Sequence, residues 1–254
     1  MAILADLVAS MRSGAIEVVD LTAPLSESTP IIALPADHGQ PWAFQREAIS
    51  HYDSAGPTVY WNNIRLSEHT GTHFDAPVHW LSGRELDDVS QVPPARLVGP
   101  AALLDFSVQA AADPDFLLQR EHIEAWQQEY GPLPADGWVL YRTGWDSRRD
   151  DHVKFLNGGH TPGIAPDCAR WLAKETAVIG LGVETVGTDA GLAASFDEQP
   201  FPCHWHLQGA NKYGLTQLQN LAKLPPVGAV LMVGPLPIVR GSGSPARVLA
   251  LVPR

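Results

Sequence analysis

Along the chain, short apolar runs rich in β-branched residues alternate with segments whose apolar positions recur at helical spacing. Ile16 to Leu21, Ala101 to Phe106, Trp138 to Tyr141, Ala177 to Leu181, Ala229 to Val233 and Val248 to Val252 read as strands. Several are apolar at consecutive positions, which is what burial on both faces requires. Glu121 to Tyr130, Pro166 to Lys174 and Leu215 to Leu224 place apolar residues at helical intervals, and the second opens on a proline suited to a first helical turn. The opening Met1-Ala-Ile-Leu-Ala-Asp6-Leu7 reads as a first helix. It lacks the basic lead-in of a signal peptide, and Asp6 interrupts its apolar run early. The expected class is therefore mixed α/β. Irregular succession of hairpin signals and isolated helices argues against a strict eight-fold βα barrel. The 22 glycines and 22 prolines are scattered rather than pooled in a linker, so one domain over residues 1–254 is expected.

Charge narrows the partners. With 17 basic and 28 acidic residues, the formal charge of −11 repels phosphate backbones and anionic lipid, so nucleic acid and membrane are not expected partners. The apolar stretch from Val227 to Val239 is too short to span a bilayer and is broken by Gly234, Pro235 and Pro237. Two cysteines, Cys168 and Cys203, form neither a disulfide framework nor a C-x-x-C clip, and a reducing cytoplasm is the expected setting. Function must then reside in a concave site on a compact fold.

One segment stands out: His69-Thr-Gly-Thr-His73-Phe-Asp75-Ala-Pro-Val-His79. Its three histidines and aspartate fall on odd positions, hence on one face of an extended segment, yet a straight strand would spread them over roughly 33 Å at about 3.3 Å per residue. To act together they need a bent chain, and Gly71 and Pro77 offer the bends. Thr70-Gly71-Thr72 disfavours a helix, so the segment is expected on a loop entering a short strand.

Two imidazoles and a carboxylate suit a divalent ion such as Zn²⁺, Mn²⁺ or Fe²⁺ and leave positions open for water and substrate. An ion held by His69, His73 and Asp75 would acidify water and polarise a carbonyl, the two requirements of amide hydrolysis. His79, with an ordinary imidazole pKa of about 6.5, is free to act as base. The plain alternative is a set of histidines making hydrogen bonds in a polar loop. Four ligand-type side chains packed so closely weigh against it.

The pattern H-x-G-T-H-x-D-x-P-x-H resembles the signature of the cyclase-like metal hydrolases, the family that holds bacterial kynurenine formamidase and isatin hydrolase. Asp20-Leu-Thr-Ala-Pro-Leu25, Arg142-Thr-Gly-Trp145, Gly187-Thr-Asp-Ala-Gly191 and Phe201-Pro-Cys-His204 extend the resemblance over nearly the whole chain. Tyr52-Asp-Ser-Ala-Gly-Pro57, Ala111 to Leu118 and Arg240-Gly-Ser-Gly-Ser-Pro245 resemble the isatin hydrolase branch more than the formamidase branch. The resemblance implies a swivelling β/β/α fold with a mixed sheet core, a homodimer or higher homo-oligomer, metal ligands His69, His73 and Asp75, and His79 as catalytic base. It also implies that the formamidases' second-metal glutamate is replaced here by Thr216. One divalent ion is then expected, manganese with zinc as the alternative, and His204 is left to contact substrate or the shell of that ion. Gln217 is expected to line a path for water or protons. The implied reaction opens the lactam ring of isatin to isatinate with a metal-activated water.

A flat substrate needs aromatic walls, and Tyr60, Trp61, Trp80 and Phe201 are the rings expected to contribute, with Phe74 and Trp205 nearby. The plain reading of any one of these rings is core packing. Gly180-Leu-Gly-Val-Glu-Thr-Val-Gly187 is misspaced for a dinucleotide turn and instead leads to Asp189, a candidate to fix a histidine tautomer. Gly241-Ser-Gly-Ser-Pro245 reads as a hairpin loop without a nucleophile elbow. Cys203 beside His204 reads as a buried, inert thiol, since neighbours along a strand face opposite ways. His160 is a candidate for an active-site loop. The competing functions are an aryl formamidase of the kynurenine formamidase kind and a non-catalytic metal-bearing binding protein; a poised base at His79 argues against the latter.

Overall fold

A computed structural model describes residues 2–254. The chain forms helix α1 (Ala2–Ser13) and strand β1 (Ile16–Asp20), then a hairpin of β2 (Gln45–His51) and β3 (Tyr60–Arg65), and then the short strand β4 (His73–Asp75). The middle of the chain alternates: β5 (Val98–Asp105), α2 (Ser107–Ala112), β6 (Leu117–Leu118), α3 (Arg120–Tyr130), β7 (Trp138–Arg142), α4 (His152–Leu156), β8 (Gly163–Ile164), α5 (Pro166–Lys174) and β9 (Gly180–Val183). β10 (Tyr213–Thr216), β11 (Ala229–Pro235) and the long β12 (Gly243–Pro253) complete it. Met1 of the expected first helix lies outside the described residues.

The main sheet has eight strands in the order β1-β12-β11-β5-β7-β9-β10-β4, and β4 pairs again with β12. β12 joins β4 through Gly243 to Pro245 and β1 through Leu249 to Pro253, so seven strands close on themselves with β1 as an added edge. β5, β7, β9 and β10 run parallel, and the other pairings are antiparallel, giving the expected mixed sheet.

Strict alternation explains the doubly apolar strands. Ala101, Leu103, Trp138 and Leu140 point into the closed interior with Phe74, Tyr213, Leu215, Leu231 and Val248. Ala102, Leu104, Val139 and Tyr141 point outward against Ile123 and Trp126 of α3 and Cys168, Ala169 and Leu172 of α5. A Cβ on Gly180 would stand 2.3 Å from the Trp138 ring, so glycine there makes room for the largest interior side chain. At the end of α5, the buried Lys212 ammonium donates to the carbonyls of Leu172 at 2.7 Å and Thr176 at 2.8 Å, satisfying groups that the helix leaves open.

The helix expected over Leu215 to Leu224 does not form. Its first residues pair in register with β9 and β4 as β10, and Gln217 and Asn220 then adopt left-handed φ of 54° and 60°. Only Leu221–Lys223 make a single 3₁₀ turn. Pairing with β9 on one edge and β4 on the other gives the backbone of β10 partners on both sides, which outweighs the helical spacing of its apolar residues. The strand expected at Ala177 begins later, at Gly180.

Two loops are fastened to each other over the mouth of the closed sheet. Pro77–His79 and Leu81–Gly83 each make a 3₁₀ turn, and a wide helical turn covers His204–Gln208. A Cβ on Gly83 would fall 2.1 Å from the Pro77 carbonyl oxygen and 2.9 Å from that of Gln208. Deeper, Glu184 is fully buried; its Oε2 accepts from the Thr143 amide at 2.7 Å, the Thr143 hydroxyl at 3.1 Å and the Trp145 amide at 3.1 Å. Burial, with the charge of Asp146 adding to it, pushes its pKa up to about 7 despite these donors.

Gly83→Ala is expected to cost about 2 kcal/mol or more by overpacking against backbone, read as a lower urea midpoint at unchanged slope. Because the folded pKa of Glu184 lies above its ordinary 4.5, its contribution is fully present below pH 4.5 and is lost as pH rises through about 7. Glu184→Gln is expected to remove that decline. The stability difference between variant and parent should move in the variant's favour by on the order of 3 kcal/mol between pH 4.5 and 8 in urea titrations.

Candidate active site and metal centre

The site is built where β4 is held between β10 and β12. Its register sets Asp75 opposite Gly214 on one side and Gly243 on the other, and His73 opposite Thr216 and Pro245. Period-two alternation sends Phe74 into the core and His73 and Asp75 together to the opposite face. Gly71, at φ 65°, makes the expected bend ahead of the strand. The Thr72 hydroxyl secures it by donating to the Gln217 carbonyl at 2.7 Å and accepting from the Ala23 amide at 2.9 Å. The bend returns His69 over the strand, placing Nδ1 2.9 Å from Asp75 Oδ1; His73 Nε2 lies 3.3 Å from the same oxygen. Glycine at 214 is required here, since a Cβ would stand 2.7 Å from Asp75 Oδ2.

The 3₁₀ turn at Pro77–His79 then lays the His79 ring on that of His69, with centroids 3.9 Å apart and planes at 29°. His79 also faces His204 at 5.4 Å. Trp80 packs on His204 at 4.8 Å and on Phe201 at 5.3 Å, so two of the expected aromatic rings gather beside the histidines. Asp189 holds His204: its carboxylate contacts Nδ1 of the ring and accepts from the amides of Cys203 at 2.6 Å and His204 at 3.2 Å. Cys203 sits on a helical turn rather than a strand, which corrects the reason for its separation from His204; its thiol is buried, and burial pushes its pKa well above the ordinary value.

Charge is distributed unevenly over these groups. Burial opposes ionisation of Asp75, but the His73 and His69 rings that face it hold its carboxyl well below the ordinary range. Burial drives His79 down to about 3, reinforced by His69, His204 and His73 and opposed by Asp75, so it is a neutral imidazole at pH 7. Burial also works against charge on His204, yet the hydrogen bond and charge of Asp189 override it and raise its pKa.

The donor set fits a divalent cation. His73 Nδ1 donates to the Gly71 carbonyl at 2.7 Å, which leaves its Nε2 lone pair on the side of Asp75 Oδ1. Electron-rich atoms thereby converge on a carboxylate only 1% exposed, an arrangement that calls for a positive charge between them. One ligand atom from each of His69, Asp75 and His79 also lies within 4.8 Å of the other two, which brings the expected base within reach of the same centre. His73 stands slightly apart from that trio, with the Thr216 hydroxyl 2.9 Å from Nδ1 and 3.1 Å from Nε2.

Tyr60, Trp61 and His160 are placed away from these rings. Tyr60 and Trp61 are exposed on β3, where Tyr60 packs on His51 at 4.7 Å and Tyr52 at 6.2 Å; within one chain they do not meet the histidine cluster. Gln217 is buried next to Thr216, and its Nε2 has no hydrogen-bond partner. His160 pairs with Asp115 at 2.8 Å and is half exposed, apart from the cluster. Glu68 and Ser242, neither of them an expected site residue, meet at 2.7 Å beside His69; the adjacency of Glu68 to His69 and the glycine-flanked Ser242 turn are the local signals they carry.

Residues 19–190 match the family described as putative cyclase. Over 99% of its length the chain is 45% identical to isatin hydrolase from Roseibium aggregatum, covering 97% of that protein. Kynurenine formamidase from Salinibacter ruber is 29% identical, over 91% of this chain and 95% of its own. The crystal structure of an isatin hydrolase bound to the product analogue thioisatinate superposes with a TM-score of 0.96 at 44% identity, covering 100% of this chain and 98% of that one. Isatin hydrolase A from Ralstonia solanacearum gives 0.95 at 48%, with 98% and 97% covered. Signature segment, closed mixed sheet and whole-length likeness agree, and the chain belongs to the putative cyclase family, with higher identity to these isatin hydrolases than to that formamidase.

Proposed function

We propose that the protein hydrolyses the lactam of isatin to isatinate, with His69, His73 and Asp75 holding one divalent ion and His79 acting as base. The observation that carries this reading is the buried Asp75 carboxylate beneath two imidazoles with a third, neutral imidazole stacked alongside, in a chain 45% identical to an isatin hydrolase over its whole length. Manganese is the proposed ion and zinc the alternative; when bound, it supplies Lewis acidity toward the lactam carbonyl and toward water. His79 is neutral at pH 7, so it can take a proton as the water oxygen bonds to the carbonyl carbon. As the carbon–nitrogen bond breaks, the same ring returns that proton to the departing aryl nitrogen. The new carboxyl group releases its own proton to solvent, leaving isatinate. Trp80 and Phe201 offer a flat apolar wall for the bicyclic ring. His204, kept protonatable by Asp189, offers a donor to the second carbonyl of the substrate.

The same site read as an aryl formamidase is favoured by the 29% identity to kynurenine formamidase. Thr216 weighs against it, because a hydroxyl stands where the resemblance places the formamidases' second-metal carboxylate.

We further propose a homodimer formed through the β2–β3 arm. Among the described residues the two strands pair only with each other, and Tyr52, Tyr60, Trp61 and Ile64 on the arm are exposed. A two-stranded ribbon is marginal unless another surface covers it, and a second copy would bring Tyr60 and Trp61 to a site they do not reach within one chain. A cytoplasmic setting is supported by two buried cysteines standing as thiols. Among the described residues, no helix is long and apolar enough to cross a membrane.

Isatin ring opening, followed by ultraviolet absorbance, should be abolished by a chelator and restored by Mn²⁺. His79→Ala should retain metal by elemental analysis and lose at least about 100-fold in kcat; turnover at the parent rate would remove His79 from the mechanism. Faster hydrolysis of N-formylkynurenine than of isatin would favour the formamidase reading. Ile64→Glu should shift the mass measured by light scattering from dimer to monomer, and a parent that is already monomeric would refute the dimer.

A further inference from the structure

Ser242 belongs to the Arg240-Gly-Ser-Gly-Ser-Pro245 segment, which the reaction as described leaves unused. Its backbone is fixed at both ends: the carbonyl accepts from the Ala76 amide at 3.0 Å, and the amide donates to Glu68 Oε2 at 2.9 Å. The flanking glycines permit close approach, because a Cβ at 243 would lie 2.6 Å from His69 Cε1 and one at 241 would lie 3.0 Å from Glu68 Oε1. Ser242 Oγ is 2.7 Å from Glu68 Oε2 and 2.9 Å from His69 Nε2.

With a divalent ion on the Asp75 side of the ring, these contacts take one proton arrangement. An ionised carboxylate only accepts, so the Ser242 hydroxyl donates to Glu68, and its oxygen is left to accept from His69 Nε2–H. With its proton on Nε2, the His69 ring presents the Nδ1 lone pair to the metal side, where Nδ1 lies 2.9 Å from Asp75 Oδ1. Two lone-pair atoms at that separation repel each other, and a divalent ion shared by both removes that repulsion.

We propose that Glu68 and Ser242 are positioning residues that hold His69 in the Nε2–H tautomer and so aim Nδ1 at the divalent ion. The inference rests on the metal-centre reading above and adds that Nδ1, rather than Nε2, is the ligating atom of His69. Both act through the imidazole, in the manner of partners that orient a ligating histidine through its other nitrogen.

The test begins with Mn²⁺ titration of metal-free protein by calorimetry. The parent should bind one ion per chain, and His69→Ala should lose it. Ser242→Ala should weaken binding by about 10- to 100-fold, Ser242→Thr should restore most of the loss, and the Glu68→Ala/Ser242→Ala pair should bind no more weakly than Ser242→Ala alone. In Zn²⁺-loaded protein, nitrogen-15 spectra should show His69 protonated at Nε2 in the parent, with that proton exchanging faster in Ser242→Ala. If the parent binds one ion and His69→Ala loses it while Ser242→Ala binds like the parent, or if the spectra show His69 protonated at Nδ1, the relay is overturned and the metal centre stands. A parent that binds no ion overturns both.

Discussion

The structure turns on one buried anion. Asp75 lies in a three-residue strand with paired backbone on both sides, and its carboxylate is 1% exposed. A charge taken out of water must be met by opposite charge or by donors. Everything that meets it comes from the same eleven-residue segment or from the strands that grip it: His69 folded back by Gly71, His73 two residues earlier, and Gly214 and Gly243 lacking the Cβ atoms that would push these groups apart. A buried carboxylate facing two imidazoles is an arrangement that a divalent cation suits.

The closed sheet makes this arrangement rigid. β4 is too short to be stable alone, yet it bridges β10 and β12 and so completes the ring of strands. The residues that close the fold are therefore the residues that hold the site, and a disturbance of one reaches the other. The mouth is assembled from loops that touch through glycine, with Gly83 lying against the backbone of Pro77 and Gln208. This contact brings His79 and Trp80 to His204 and Phe201, from a part of the chain more than a hundred residues away.

Environment then separates histidines that are alike in sequence. His79, buried among other imidazoles, is kept neutral, whereas His204, equally enclosed but bound to Asp189, is the more readily protonated. Neighbouring groups with opposed proton affinities are what acid–base chemistry in one site requires. The acidic partner of His204 was visible as Asp189 in a glycine-flanked segment, but its pairing depends on the approach of two loops that the sequence does not connect.

Local chemistry alone determined a good deal. The mixed class, most of the strands, the helices at Glu121 and Pro166, and the bend at Gly71 all followed from residue types whose preferences act over a few positions. The cluster of His69, His73, Asp75 and His79 was legible because its members are sequence neighbours. The fate of Leu215 to Leu224 was decided only in three dimensions: its apolar spacing fits a helix, but flanking strands offered its backbone partners on both sides. The closure of the sheet, the meeting of Ser242 with His69 across 173 positions, and the gathering of Trp80, Phe201 and His204 were likewise tertiary outcomes. Such contacts arise from pairing register and chain closure, which no window along a single sequence contains.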